Sequence, residues 1–112
     1  MNANENWVRV GAVADIAEGE TSSVAIGDVP IALYNVRGRI FATQAHCTHG
    51  SAELADGYIE GGEVVCPFHG GRFDIASGRA TAAPCEAPLT VYETRIVDCD
   101  LFVNLSGTQV QA

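Results

Sequence analysis

The sequence predicts an all-β protein, a small sandwich or barrel of antiparallel strands. Three observations point there. Short apolar runs are broken by Gly, Asp, Asn and Pro about every eight to twelve residues. Helical periodicity is nearly absent. The chain has 112 residues, 47% of them hydrophobic, enough for one core without disulfide staples. That length favours a single domain over residues 1–112.

The elements follow in order. Trp7-Val8-Arg9-Val10 reads as a first strand. Asp15 to Gly19 reads as a turn, with one helical turn before it. Thr21 to Ile26 is a second strand, and Gly27-Asp28 turns it tightly into Val29 to Asn35. Alternation there puts Val29, Ile31 and Leu33 on one face and Ala32 and Tyr34 on the other. Arg37-Gly38 turns the chain into Arg39 to Thr43. Tyr58 to Val65 is long enough for a hairpin. Arg72-Phe73-Asp74 reads as a strand with Phe73 in the core. Leu89 to Val97 and Leu101 to Leu105 form a closing hairpin across Asp98-Cys99-Asp100.

Charge and composition exclude several functions. Six Arg, no Lys and 14 acidic residues give a formal net charge of −8. Nucleic acid and anionic membranes would be repelled, whereas a basic protein surface would be attracted. No apolar run approaches the ~18 residues of a membrane span. Met1 to Asn6 carries neither a basic nor an apolar signal region, so the expected compartment is the cytoplasm. No nucleophile elbow, phosphate-cradling Gly loop or paired carboxylate in an apolar pocket is apparent, so no catalytic residue is assigned.

The chemistry is concentrated between Ala45 and Gly71, where all three histidines and two of the four cysteines lie among six glycines. The segments His46-Cys47-Thr48-His49-Gly50 and Cys66-Pro67-Phe68-His69-Gly70 each offer one Cys and one His, with sixteen residues between His49 and Cys66. Soft sulfur with imidazole nitrogen suits zinc or iron–sulfur, not magnesium or calcium. A common zinc finger groups its cysteines and its histidines separately. Interleaving them instead suits a two-metal cluster in which one iron takes a Cys from each loop and the other takes a His from each loop. Structural zinc and an unmetallated remnant are the competing readings.

These boxes, with Ile31-Ala32-Leu33-Tyr34, Phe41-Ala42-Thr43, Asp56-Gly57, Gly71-Arg72-Phe73-Asp74 and Ser77-Gly78, resemble the Rieske-type ferredoxins of multicomponent aromatic-ring-hydroxylating dioxygenases. The resemblance covers essentially the whole chain. It implies a Rieske-like fold of three small antiparallel sheets, with a two-loop cluster-binding subdomain at one tip, the loops lying around 45–51 and 66–71. It also implies one Rieske-type [2Fe–2S] cluster per chain, with Cys47 and Cys66 on one iron and His49 and His69 on the other. The implied function is one-electron transfer from a flavin-dependent reductase to a terminal Rieske oxygenase acting on aromatic hydrocarbons. Such a protein is a component of an oxygenase system rather than an enzyme itself, and is expected to be a monomer. The alternatives are a Rieske-like small subunit of a nitrite reductase and a Rieske domain serving another oxygenase class. High-potential relatives carry an extra Cys in each box, where this chain has Ala52 and Phe68.

The remaining candidates have structural roles. His46 is expected to be a surface residue of its loop. Cys85 and Cys99 are expected to be reduced and non-ligating, Cys99 as a small apolar residue of the closing hairpin and Cys85 in a proline-bearing loop near the cluster. Glu53, Asp56, Glu60 and Glu63 are expected to form an acidic rim beside the histidines.

Overall fold

The computed structural model describes residues 7–48, 52–67, 70–106 and 108–109. The strands are β1 (Trp7–Ala12), β2 (Thr21–Ile26), β3 (Val29–Val36), β4 (Arg39–Gln44), β5 (Tyr58–Glu60), β6 (Glu63–Val65), β7 (Arg72–Asp74), β8 (Ala80–Ala82), β9 (Thr90–Tyr92), β10 (Thr94–Val97), β11 (Asp100–Asn104) and β12 (Thr108–Gln109). They form three antiparallel sheets, ordered β1-β11-β10, β12-β9-β4-β3-β2 and β5-β6-β7-β8. The helical turn expected before Asp15 is a 3-10 turn at Val13–Asp15. Among the described residues no helix is long and apolar enough to cross a membrane.

Two-residue turns set the registers. Val36 pairs with Arg39, Glu60 with Glu63 and Val97 with Asp100. In each, both intervening residues have positive φ, which matches the right-handed twist of the flanking strands. Gly61-Gly62 adopts this without steric cost. Asp98 and Cys99 adopt it at φ 51° and 73° despite their side chains.

The β3 alternation explains the core. Ile31 and Leu33 pack with Ile16, Ile40, Ala42, Leu101 and Val103. Ala32 and Tyr34 face the opposite way, into a second cluster with Leu54, Val64, Phe73, Ile75, Leu89 and three cysteines. The five-stranded sheet is therefore covered on both faces. Tyr34 is fully buried, its hydroxyl 2.7 Å from Thr43 Oγ1. Thr43 donates its one hydroxyl proton to the carbonyl of Gln44, so Tyr34 is the donor in the pair. Thr21 Oγ1 donates to the carbonyl of Ala55 and ties the four-stranded lobe to the central sheet.

The segment expected as one strand from Leu89 to Val97 is two strands in different sheets. Val91 and Tyr92 pair with β4, whereas Thr94 to Val97 pair with β11. Glu93 is the corner, and its carbonyl accepts the N–H of Asn104. Bends of this kind let one chain serve two packed sheets. Cys99 also departs from expectation: it is exposed at the turn rather than packed as an apolar residue.

Candidate metal centre

Both cysteine loops leave the ends of core strands and close in the same way. The first follows β4, and Cys47 N–H donates to the carbonyl of Ala52 at 2.9 Å. The second follows β6, and Cys66 N–H donates to the carbonyl of Gly71 at 2.7 Å. Each loop thus returns five residues after its cysteine. The base of the first loop is fixed further by Leu54 N–H on the carbonyl of Ala45. Gln44 braces it sideways, donating to the carbonyl of His46 and accepting the N–H of Thr90. Gly57 lets the two loops lie close together, because a Cβ there would run into the carbonyl of Val65.

Cys47 and Cys66 are both buried and belong to the same core cluster. Neither is in a disulfide, nor are Cys85 and Cys99. A third segment, residues 83–88, forms another wall. Thr48 Oγ1 donates to the carbonyl of Ala87 at 2.6 Å and fastens this segment to the first loop. Cys85 is buried there, its Sγ 3.6 Å from Cys47 Sγ. Burial pushes the Cys85 thiol up to about 12, reinforced by its hydrogen bond with Cys47 and by the charges of Cys47 and Cys66. Gly71 makes room for it. A Cβ at residue 71 would overlap Cys85 Sγ and lie 3.2 Å from its backbone nitrogen.

Cys47 and Cys66 thus converge around Cys85. His49 and His69, with Gly50 and Phe68, lie outside the described residues. Among the described residues no three His, Cys, Asp or Glu side chains form a group that could hold a metal ion. The donors that are described fit iron–sulfur chemistry: two buried, unbridged thiols on rigidly closed loops. His46 is exposed, as expected. Sequence reasoning assigned no part in the site to Gln44, and placed Thr48 and Gly71 in the two loops without their contacts to residues 83–88. Only the proline-flanked setting of Cys85 gave advance notice of the third wall.

The acidic side chains are divided. Glu53 is exposed beside the first loop, where its backbone forms an isolated antiparallel β-bridge with that of His46. Glu60 and Glu63 lie at the far end of the β5–β6 hairpin, and both form ion pairs with Arg72. Glu63 stands three residues from Cys66, about 10 Å along the strand. Asp56 is also exposed, in the 3-10 turn Leu54–Asp56 that follows the first loop, so of the four only Glu60 and Glu63 are engaged by Arg72.

The Rieske [2Fe-2S] domain family model matches residues 6–93. This chain belongs to the Rieske [2Fe-2S] domain family. Membership brings a Rieske-type [2Fe–2S] cluster as its cofactor. The Rieske chain is 42% identical over 100 residues to the ferredoxin component of the naphthalene 1,2-dioxygenase system of Pseudomonas putida, covering 89% of this chain and 96% of the relative. The ferredoxin of Sphingomonas yanoikuyae B1 superposes with a TM-score of 0.84 at 43% identity, over 88% of this chain and 98% of that one. A chain from the complex of reduced oxygenase and oxidised ferredoxin of carbazole 1,9a-dioxygenase superposes with a TM-score of 0.86 at 35% identity, over 91% and 95%. A nitrite reductase small subunit from Mycobacterium tuberculosis shares the fold, with a TM-score of 0.78 at 19% identity over 89% and 95%.

Proposed function

We propose that this Rieske protein is a one-electron carrier of an aromatic-ring dioxygenase system, with Cys47, His49, Cys66 and His69 holding its cluster. It accepts an electron from a flavin-dependent reductase and passes it to a terminal Rieske oxygenase. The observation that carries this reading is that Cys47 and Cys66, on two identically closed loops, are buried in one core cluster. When bound, the cluster takes up and releases one electron. The protein's own residues bind it through two thiolates and two imidazoles, and the closed loops hold those donors in place. The apolar cluster beneath the cysteines keeps water from their sulfurs.

The similarity to ferredoxin components supports a carrier rather than an oxygenase, and the complex of oxygenase with ferredoxin supports an oxygenase partner. The nitrite reductase alternative rests on fold alone. Residues 1–112 are read as one domain with loops around 45–51 and 66–71, acting as a monomer. Four cysteines outside any disulfide suit the reducing cytoplasm.

The test is purification followed by metal and sulfide analysis. Two irons and two acid-labile sulfides per chain, with a red-brown colour, are expected. His49→Ala and Cys66→Ser should each abolish the cluster, whereas His46→Ala should leave the visible spectrum intact. A colourless protein with one zinc would overturn the reading. The carrier role is tested by single-turnover transfer from a flavin-dependent reductase to a terminal Rieske oxygenase. Loaded protein that neither accepts nor passes the electron would refute that role.

A further inference from the structure

The third buried thiol belongs to neither ligand box, yet it is packed against one of them. Cys85 Sγ lies 3.6 Å from Cys47 Sγ, within reach of an S–H···S hydrogen bond. Both residues are buried in the same apolar cluster. The contact is held from three sides. Thr48 Oγ1 fastens residues 83–88 to the first loop, Cys85 N–H donates to the carbonyl of Ala82, and Gly71 leaves vacant the volume that Cys85 Sγ needs. Three loops thus aim one thiol at one sulfur.

We infer that Cys85 is a positioning residue of the metal centre, whose S–H donates to Cys47 Sγ and raises the reduction potential of the cluster. The inference rests on the ligand set proposed above. Its direction follows from charge. A ligating Cys47 is a thiolate and has no proton, so Cys85 is the donor of the pair. Reduction adds negative charge to the cluster and its sulfur ligands, and a donor aimed at that sulfur stabilises the more negative state more strongly. The bond therefore tightens on reduction. A thiol is a weak donor, so the effect is smaller than that of a hydroxyl in the same place.

The test uses the loaded protein and two readouts other than turnover. In voltammetry, Cys85→Ala should shift the midpoint potential downward, and Cys85→Ser, which keeps a donor, should lie above Cys85→Ala. A purely structural role would not separate the two variants in that order. In infrared spectroscopy, Cys99→Ala removes the exposed thiol, and ligation removes the protons of Cys47 and Cys66. The remaining S–H band then belongs to Cys85. It should lie below the frequency of an unbonded thiol, move in D2O, and fall further on reduction. If Cys85→Ala fails to take up iron, the infrared measurement on Cys99→Ala decides. A fully loaded Cys85→Ala at the wild-type potential would overturn the inference, as would an S–H band at the unbonded frequency in both oxidation states. Those results leave the ligand set standing. A wild-type protein without iron and sulfide would overturn the ligand set, and this inference with it.

Discussion

Replacing Gly71 by Ala should destabilise the protein chiefly through Cys85. A methyl at residue 71 would penetrate Cys85 Sγ by about 1 Å or more, against an ordinary contact of ~3.5–4.0 Å. Its other neighbours, Cys85 N at 3.2 Å and Ala82 O at 3.3 Å, require shifts of only a few tenths of an ångström. Overpacking of this kind costs about 1–3 kcal/mol. With an unfolding entropy of roughly 2.1 cal/mol/K per residue, a chain of 112 residues should lose about 4–13 °C in Tm. Cys85→Ala alone removes one small buried group and should cost on the order of 1 kcal/mol. If the sulfur is what the new methyl meets, the double variant should be nearly as stable as Cys85→Ala. The coupling between the sites would then equal the cost of Gly71→Ala itself, about 1–3 kcal/mol. The assay is thermal unfolding of the four proteins at one scan rate, with iron content measured on each. Strict additivity, within about 0.5 kcal/mol, would refute the packing argument.

The remaining predictions are briefer. Tyr34→Phe should cost about 0.5–1.5 kcal/mol, whereas Thr43→Val, which strands the buried tyrosine hydroxyl, should cost more, about 1–3 kcal/mol plus the hydroxyl's bond to Gln44; equal losses in urea unfolding would contradict the donor assignment. Burial raises the Tyr34 pKa, so its stability contribution is intact below the ordinary value of about 10 and is lost as pH rises beyond it; Tyr34→Phe should flatten that alkaline decline. Iodoacetamide on the loaded protein should add one label, abolished by Cys99→Ala, because Cys99 alone of the four cysteines is exposed; a label on Cys85, read by peptide mass, would contradict its burial. The midpoint potential should fall below roughly +100 mV, in the lower part of the range of about −150 to +300 mV spanned by Rieske centres, because Ala52 and Phe68 exclude the disulfide of the high-potential forms; voltammetry checks this. Reduction by a flavin-dependent reductase should slow with added salt, and Glu53→Lys should slow it more than Glu60→Lys, because Glu60 is engaged by Arg72; stopped-flow rates indifferent to salt and to both reversals would remove any docking role for the acidic side chains.

Legibility in the sequence followed the range of the interactions. The alternation of β3 was readable because each residue reports its own face, and Ile31, Ala32, Leu33 and Tyr34 lie where that alternation puts them. The hairpins at Gly27-Asp28 and Arg37-Gly38 were readable because their local chemistry favours tight turns. The corner at Glu93 was not, because nothing local distinguishes Thr90-Val91-Tyr92 from Thr94-Arg95-Ile96. Their partners, β4 and β11, decide which sheet each joins. The short strands β8 and β12 were missed for the same reason. At the site, the Cys-x-His and Cys-x-x-His spacing singled out Cys47 and Cys66. The equal closure of their loops, and the contact across 38 residues that brings Cys85 to Cys47, depend on tertiary packing. The pairing of Glu60 and Glu63 with Arg72, twelve residues from Glu60, was not legible either, because it depends on β5, β6 and β7 lying side by side.

The two loop closures bear on how such a site works. Cys47 N–H and Cys66 N–H are both satisfied by carbonyls of their own loops, and Ala52 and Gly71, which supply those carbonyls, are buried. Neither bond involves the sulfur, so the backbone alone orients each cysteine. Beneath the loops, Val64, Phe73 and Leu54 are fully buried against β3 of the central sheet. A carrier gains from donors fixed in this way, because a site that keeps its geometry on gaining or losing an electron wastes little energy on reorganisation. The same rigidity makes the small positions around the sulfurs intolerant of added volume. Gly57 and Gly71 have no free space where a Cβ would go, one against a backbone carbonyl and the other against a thiol. Two glycines beside the boxes therefore set how closely the cysteine loops and Cys85 approach.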